Sequence, residues 1–154
     1  MTIAAVGIGS NAGDAEARVR DAFVRLEGAG TVLARSPLYR TEPWGVRDQA
    51  AFVNAAALLE TALDPHALLD ALKRIEREAG RAPTYRWGPR VLDLDILTYG
   101  DAHVDEPDLV IPHPRLHERA FALIPLAAID PRFAAARDAL SPGDCATVVE
   151  LTAR

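Results

Sequence analysis

The stretch VLDLDILTY, residues 91–99, alternates apolar and polar side chains over Leu92 to Ile96. That two-residue period belongs to a β-strand with one covered face. Just upstream the period changes. Between Asp64 and Gly80, Leu68, Leu72, Ile75 and Ala79 line one face of a predicted helix. Asp64 suits its N-cap, Pro65 its first helical position and Gly80 its stop. Residues 52–61, FVNAAALLET, fit strand or helix by composition and are read as a strand. Residues 31–40 read as another strand, with Pro37 predicting a bulge or an edge. Further upstream, Val19, Ala22, Phe23 and Leu26 form the stripe of an amphipathic helix over 14–27. IAAVGIG at residues 3–9 is a short buried strand.

The predicted order is thus strand, helix, strand, strand, helix, strand. This is the βαββαβ pattern of an α+β, ferredoxin-like sandwich, with an antiparallel sheet and both helices on one face. The last third is an appendage to that core. It comprises a small hairpin at 101–111 and a short helix from His117 to Ile124 that Pro125 is expected to kink or end. With 154 residues and no visible linker or repeat, residues 1–154 read as one domain.

Composition narrows the function. The chain is 49% hydrophobic and 25% charged, with a formal net charge of -5. These values exclude a disordered chain and argue against global electrostatic binding of nucleic acid. The near-continuous apolar run at 120–129 is about half of what a membrane span needs. The N-terminus has no basic residue ahead of its apolar stretch, so no signal peptide is expected. Cys145, the single cysteine, cannot form an internal disulfide. A cytoplasmic protein, without nucleic-acid or membrane partners, is the expectation.

Asp93 and Asp95 lie two apart on a strand and therefore share a face. Paired carboxylates repel unless a cation sits between them, and hard oxygen ligands suit Mg²⁺. Two solvated aspartates on an exposed strand face are the plainer account of the same residues. Arg77, Arg81, Arg86 and Arg90 crowd the approach to that strand, and guanidinium groups match phosphate oxygens in pairs. Taken together with the acids, they favour a site for a nucleotide triphosphate. Trp44 and Trp87 lie in loops. With Phe52, Asn54 and Phe121 they offer a stacking slot for a planar ring, or simply a roof to the core. Asn54 carries both donor and acceptor for a heterocycle edge. His113, flanked by prolines, is either a phosphate donor or a solvent-facing side chain. Neither the dinucleotide glycine fingerprint nor a Walker A sequence is present.

Five segments together carry a resemblance: GIGSNAGD at 7–14, SPLYRTEPWG at 36–45, FVNAA at 52–56, RWGPRVLDLDIL at 86–97 and IPHPRLHERAFALIPL at 111–126. In order and spacing they resemble the 6-hydroxymethyl-7,8-dihydropterin pyrophosphokinases. The resemblance implies transfer of pyrophosphate from ATP to a pterin hydroxymethyl group, releasing AMP, in folate biosynthesis. It implies two Mg²⁺ ions held by Asp93 and Asp95, with Arg81 and Arg90 as catalytic and phosphate-binding arginines. Lys73, Glu76, Trp87, Arg90, Ile96, His113 and Arg119 would serve ATP. Thr41, Trp44, Phe52, Asn54, Asp95 and Phe121 would form the pterin pocket. A monomer acting on small molecules is expected. In one departure, the segment 82–85 is poorer in basic residues than is common in that family, which leaves a related Mg²⁺-dependent phosphotransferase as an alternative. A non-catalytic ferredoxin-like binding module is the other.

Overall fold

A computed structural model describes residues 1–41, 51–80 and 91–151. Strand β1 spans Thr2–Ser10 and helix α1 spans Ala15–Leu26. Strands β2 (Thr31–Arg35), β3 (Tyr39–Thr41) and β4 (Phe52–Thr61) follow, then helix α2 (Pro65–Glu78) and strand β5 (Asp93–Tyr99). Strands β6 (Val104–Glu106) and β7 (Leu109–Ile111) make the expected hairpin.

The local causes match the sequence. Asp14 caps α1 by accepting from the Ala17 N–H at 3.1 Å, and Asp64 caps α2 through the Ala67 N–H at 2.8 Å. Gly80, at φ +94°, stands two residues beyond α2 in the left-handed region that favours glycine. The predicted strand at 31–40 is split into β2 and β3 around Ser36, Pro37 and Leu38. A proline has no N–H for a ladder bond, so the break falls where Pro37 predicted an irregularity.

All pairings within the main sheet are antiparallel, in the order β5-β1-β4-β3 with a further strand, β8 (Val148–Glu150), beyond β3, and β2 also pairs with β4. Strand β8, which the sequence did not predict, adds to the edge of β3. Alternation along the strands divides the interior into two cores. Val6, Ile8, Val53, Ala55, Leu94 and Ile96 pack with Val19, Phe23, Leu68, Leu72 and Ile75 of the two long helices. Ala5, Ala56 and Leu97 face the other way, onto Leu116, Leu123 and Leu126.

Helix α3 (Ala120–Ile129) carries that second core and does not end at Pro125, which was one of the two outcomes expected there, a kink being the other. The helix begins at Ala120 and runs on through the proline to Ile129. Pro125 removes the N–H that would bond the Phe121 carbonyl. Against that loss, Leu123 and Leu126 are wholly buried over the sheet, so packing outweighs the missing bond. Short helices α4 (Ala134–Asp138) and α5 (Pro142–Ala146) complete this layer. Among the described residues, no helix is long and apolar enough to cross a membrane.

The packing of α2 sets a stability prediction. Leu72 is fully buried between that helix and the sheet. Leu72→Ala should lower unfolding stability by about 2–5 kcal/mol in urea titration, with little change in the denaturant slope.

Candidate active site

Strand β1 lies between β4 and β5, and its register draws rows across the sheet. Asp93 stands opposite Gly9, Gly9 opposite Asn54, and Asn54 opposite Tyr39. The neighbouring row holds Asp95, Gly7 and Ala56. Thr41 pairs with Phe52. Opposed residues share a face, as do residues two apart on one strand. Asp93, Asp95, Asn54, Phe52 and Thr41 therefore all stand on one face, away from α1 and α2.

The two glycines form the floor between the acidic edge and the amide. A Cβ on Gly9 would lie 2.9 Å from Asn54 Nδ2, closer than real Cβ atoms approach. On Gly7 it would meet Leu97 at 3.3 Å. Two strand spacings, roughly 10 Å, separate Asp93 from Asn54 across this bare floor. Gly9 was not among the residues singled out from the sequence as a site position, nor was Tyr39. The alternation of Tyr39 with Thr41 and of Gly7 with Gly9 was the available signal.

At the far side of the floor, Asn54 is 8% exposed and Thr41 5% exposed. Among the described residues, Asn54 Oδ1 and Thr41 Oγ1 are buried without a hydrogen-bond partner. Leaving such a group unsatisfied costs about 1–3 kcal/mol, so the pair could accept a ligand with its own polar edge. Phe52 and Phe121 are half-buried, and the Arg119 guanidinium lies 5.6 Å from the Phe121 ring centre.

His113 is tied to the acidic strand, its N–H donating to the Leu97 carbonyl at 2.9 Å. Its Nδ1 accepts from the Arg115 N–H at 3.3 Å, which leaves Nε2 as the protonated nitrogen of the neutral ring. Partial burial lowers its pKa below that of an ordinary histidine. The nearby Asp95 charge works the other way, and Arg119 and Arg115 add to the lowering.

Other expected positions fall differently. Ile96 points into the helix-side core, so only its main chain could reach a nucleotide on the acidic face. Lys73 is exposed on α2, and among the described residues no hydrogen bond or ion pair joins it to the aspartates. Glu76 is 7% exposed, and its Oε2 accepts the Leu94 N–H at 2.8 Å. Trp44, Arg81, Trp87 and Arg90 lie outside the described residues.

The donor set suits Mg²⁺. Asp93 is partly exposed and Asp95 exposed, both on the open face, and Mg²⁺ takes one or two carboxylates while keeping other positions for water and phosphate. A separate group, His66, Glu106 and Asp108, is exposed at the other end of α2, with His66 Nε2 2.6 Å from Glu106 Oε2.

A family model described as 7,8-dihydro-6-hydroxymethylpterin-pyrophosphokinase (HPPK) matches residues 5–131. The chain belongs to this family. A 2-amino-4-hydroxy-6-hydroxymethyldihydropteridine pyrophosphokinase of Methylorubrum extorquens is 48% identical over 133 residues, covering 85% of this chain and 84% of the relative. The enzyme of the same name from Bacillus subtilis is 45% identical over 129 residues, covering 82% and 77%. Among solved structures, Plasmodium falciparum HPPK-DHPS superposes with TM-score 0.67 at 15% identity, covering 90% of this chain. The chain spans only 43% of that longer protein, and the likeness bears on the fold alone.

The histidine beside the acidic strand makes a direct test. In the metal-free protein, the His113 ring resonances should titrate below the ordinary histidine range. Asp95→Asn should move that midpoint lower still, because the Asp95 charge is what raises it. The fold favours the neutral ring, so this group's contribution to stability is full above the ordinary histidine value and is lost as pH falls from there through the lowered folded-state value. An NMR titration that moves upward in Asp95→Asn would refute the coupling.

Proposed function

We propose that this chain transfers the terminal pyrophosphate of ATP to the hydroxymethyl group of 6-hydroxymethyl-7,8-dihydropterin, giving the pterin diphosphate and AMP in folate biosynthesis. The observation that carries this reading is a single sheet face holding Asp93 and Asp95 at one end and, at the other, two buried polar atoms, on Asn54 and Thr41, that find no partner among the described residues. One end suits a metal-bound polyphosphate and the other a planar heterocycle with a hydrogen-bonding edge. Relatives at 45–48% identity named as pyrophosphokinases support it.

In this reading Asn54 and Thr41 bind the pterin edge, while Phe52 and Phe121 stack on its ring. Asp93 and Asp95 would hold Mg²⁺, two ions by the family resemblance, which would supply neutralisation of charge on the phosphate oxygens. The hydroxyl approaches the β-phosphorus in line, a new O–P bond forms, and the bond to the α,β-bridging oxygen breaks with its electrons leaving on AMP. The hydroxyl proton is released. The protein's work is positioning and electrostatics. His113, neutral and protonated on Nε2, donates to a phosphate oxygen, and Arg119 adds positive charge beside it. The family resemblance assigns Arg81, Trp87 and Arg90 to ATP and Trp44 to the pterin.

We read residues 1–154 as one domain, a cytoplasmic monomer. Its fold is read as the ferredoxin-like sandwich, with β2 and β3 counted as one interrupted strand. The order β5-β1-β4 followed by β2 and β3 supports this.

Incubation with ATP, Mg²⁺ and the pterin alcohol should yield AMP and no ADP. ADP as the product would assign the acids to a different phosphotransfer. Asp95→Ala should lower turnover by about a hundredfold or more with an unchanged circular dichroism spectrum. Separately, Gly9→Ala pushes on the Asn54 amide, so pterin affinity measured by calorimetry should fall about tenfold while binding of an ATP analogue is retained. Equal losses for both ligands would refute this division of the floor.

A further inference from the structure

Strand β5 lies at the end of the main sheet, bonded to β1 on one side among the described residues. Successive N–H groups along an antiparallel strand alternate between its two sides. The Leu94 N–H, which donates to Glu76, therefore faces outward, while those of Asp93 and Asp95 face β1. Leu94 is itself 5% exposed, so water has little access to serve that N–H. The partner comes from α2, on the opposite layer from the acidic face, where Glu76 sits next to the apolar stripe of Leu68, Leu72 and Ile75.

A carboxylate is an expensive group to bury in such a place unless it is bonded. This one makes a charge-assisted hydrogen bond to the residue flanked by both candidate metal ligands. Edge strands otherwise carry unpaired N–H groups and are the part of a sheet most free to shift. Mg²⁺ demands near-octahedral geometry with short bonds, so the separation and orientation of the two aspartates matter to its affinity.

Resting on the metal-site reading above, we infer that Glu76 is a positioning residue: its carboxylate, by holding the Leu94 N–H, fixes the backbone between Asp93 and Asp95 and so sets the spacing of the metal ligands. The described bond directs Glu76 Oε2 into the protein rather than toward a nucleotide. Its action on the ions runs through the strand, in the manner of outer-shell groups that orient metal ligands.

The test compares Glu76→Gln and Glu76→Leu with the unaltered protein. Two quantities are read besides activity: Mn²⁺ affinity by electron paramagnetic resonance with a non-hydrolysable ATP analogue, and hydrogen exchange of the Leu94 amide in the metal-free protein. Glu76→Gln keeps an acceptor oxygen, so Leu94 should stay protected and Mn²⁺ affinity should hold within about threefold. Glu76→Leu should speed Leu94 exchange and weaken Mn²⁺ about tenfold, with pterin affinity unchanged. A folded Glu76→Leu protein with full Mn²⁺ affinity overturns the inference. Should that variant fail to fold, Glu76→Gln decides alone. Protected Leu94 with Mn²⁺ affinity retained supports the inference, and protected Leu94 with a tenfold loss overturns it, since charge would then act directly. Absence of Mn²⁺ binding in the unaltered protein would fell the metal-site reading together with this one, whereas intact binding that ignores Glu76→Leu fells this one alone.

Discussion

Strand β1 is bonded along both edges, to β4 on one side and β5 on the other, and this double ladder is the constraint on which the site depends. A slip of one residue on either side would turn a whole strand over. Slipping β5 would send Asp93 and Asp95 into the apolar core and bring Leu94 and Ile96 to the open face. Slipping β4 would bury Asn54 among leucines. The buried side chains of Val6, Ile8, Ala55, Leu94 and Ile96 on the helix-side face oppose both errors. The apolar core thus does more than stabilise the fold. It holds the polar face in register.

The two faces divide the labour. Helices α1 and α2 cover one, and their apolar stripes pack into the larger core. On the other face α3 and the shorter helices cover Ala5, Ala56 and Leu97, leaving the ends with Asp95 exposed and Phe52 half-covered. The glycines of β1 belong to this division. Side chains at Gly7 and Gly9 would crowd Leu97 and the Asn54 amide, so the central strand is bare where a ligand must lie flat.

Much of this was legible in the sequence because it rests on periodicity. The stripe Val19, Ala22, Phe23 and Leu26 is the buried face of α1, and the strand expected at 52–61 has those bounds as β4. The common face of Asp93 and Asp95 follows from a two-residue period that needs no tertiary information. What escaped depends on contacts distant in the chain. Pro125 reads locally as a helix breaker, and only its burial beneath the surrounding apolar layer keeps α3 intact. Strand β8 is three residues long and exists through its pairing with β3. Glu76 looks like a surface residue among Arg74, Arg77 and Glu78, and its burial appears once β5 is laid beside α2. That Asn54 and Thr41 share a face and, among the described residues, both leave a buried polar atom without a partner likewise needs the fold, since neither residue shows it alone.

The central claim is that one side of a three-strand row grips metal and the other reads a ring. The most direct measurement is a crystal structure of the protein with Mg²⁺, a non-hydrolysable ATP analogue and the pterin alcohol. The account requires Mg²⁺ within about 2.1 Å of carboxylate oxygens from both Asp93 and Asp95, and the pterin edge on Asn54 and Thr41. Ions bound elsewhere, with those carboxylates turned from the phosphates, would contradict it.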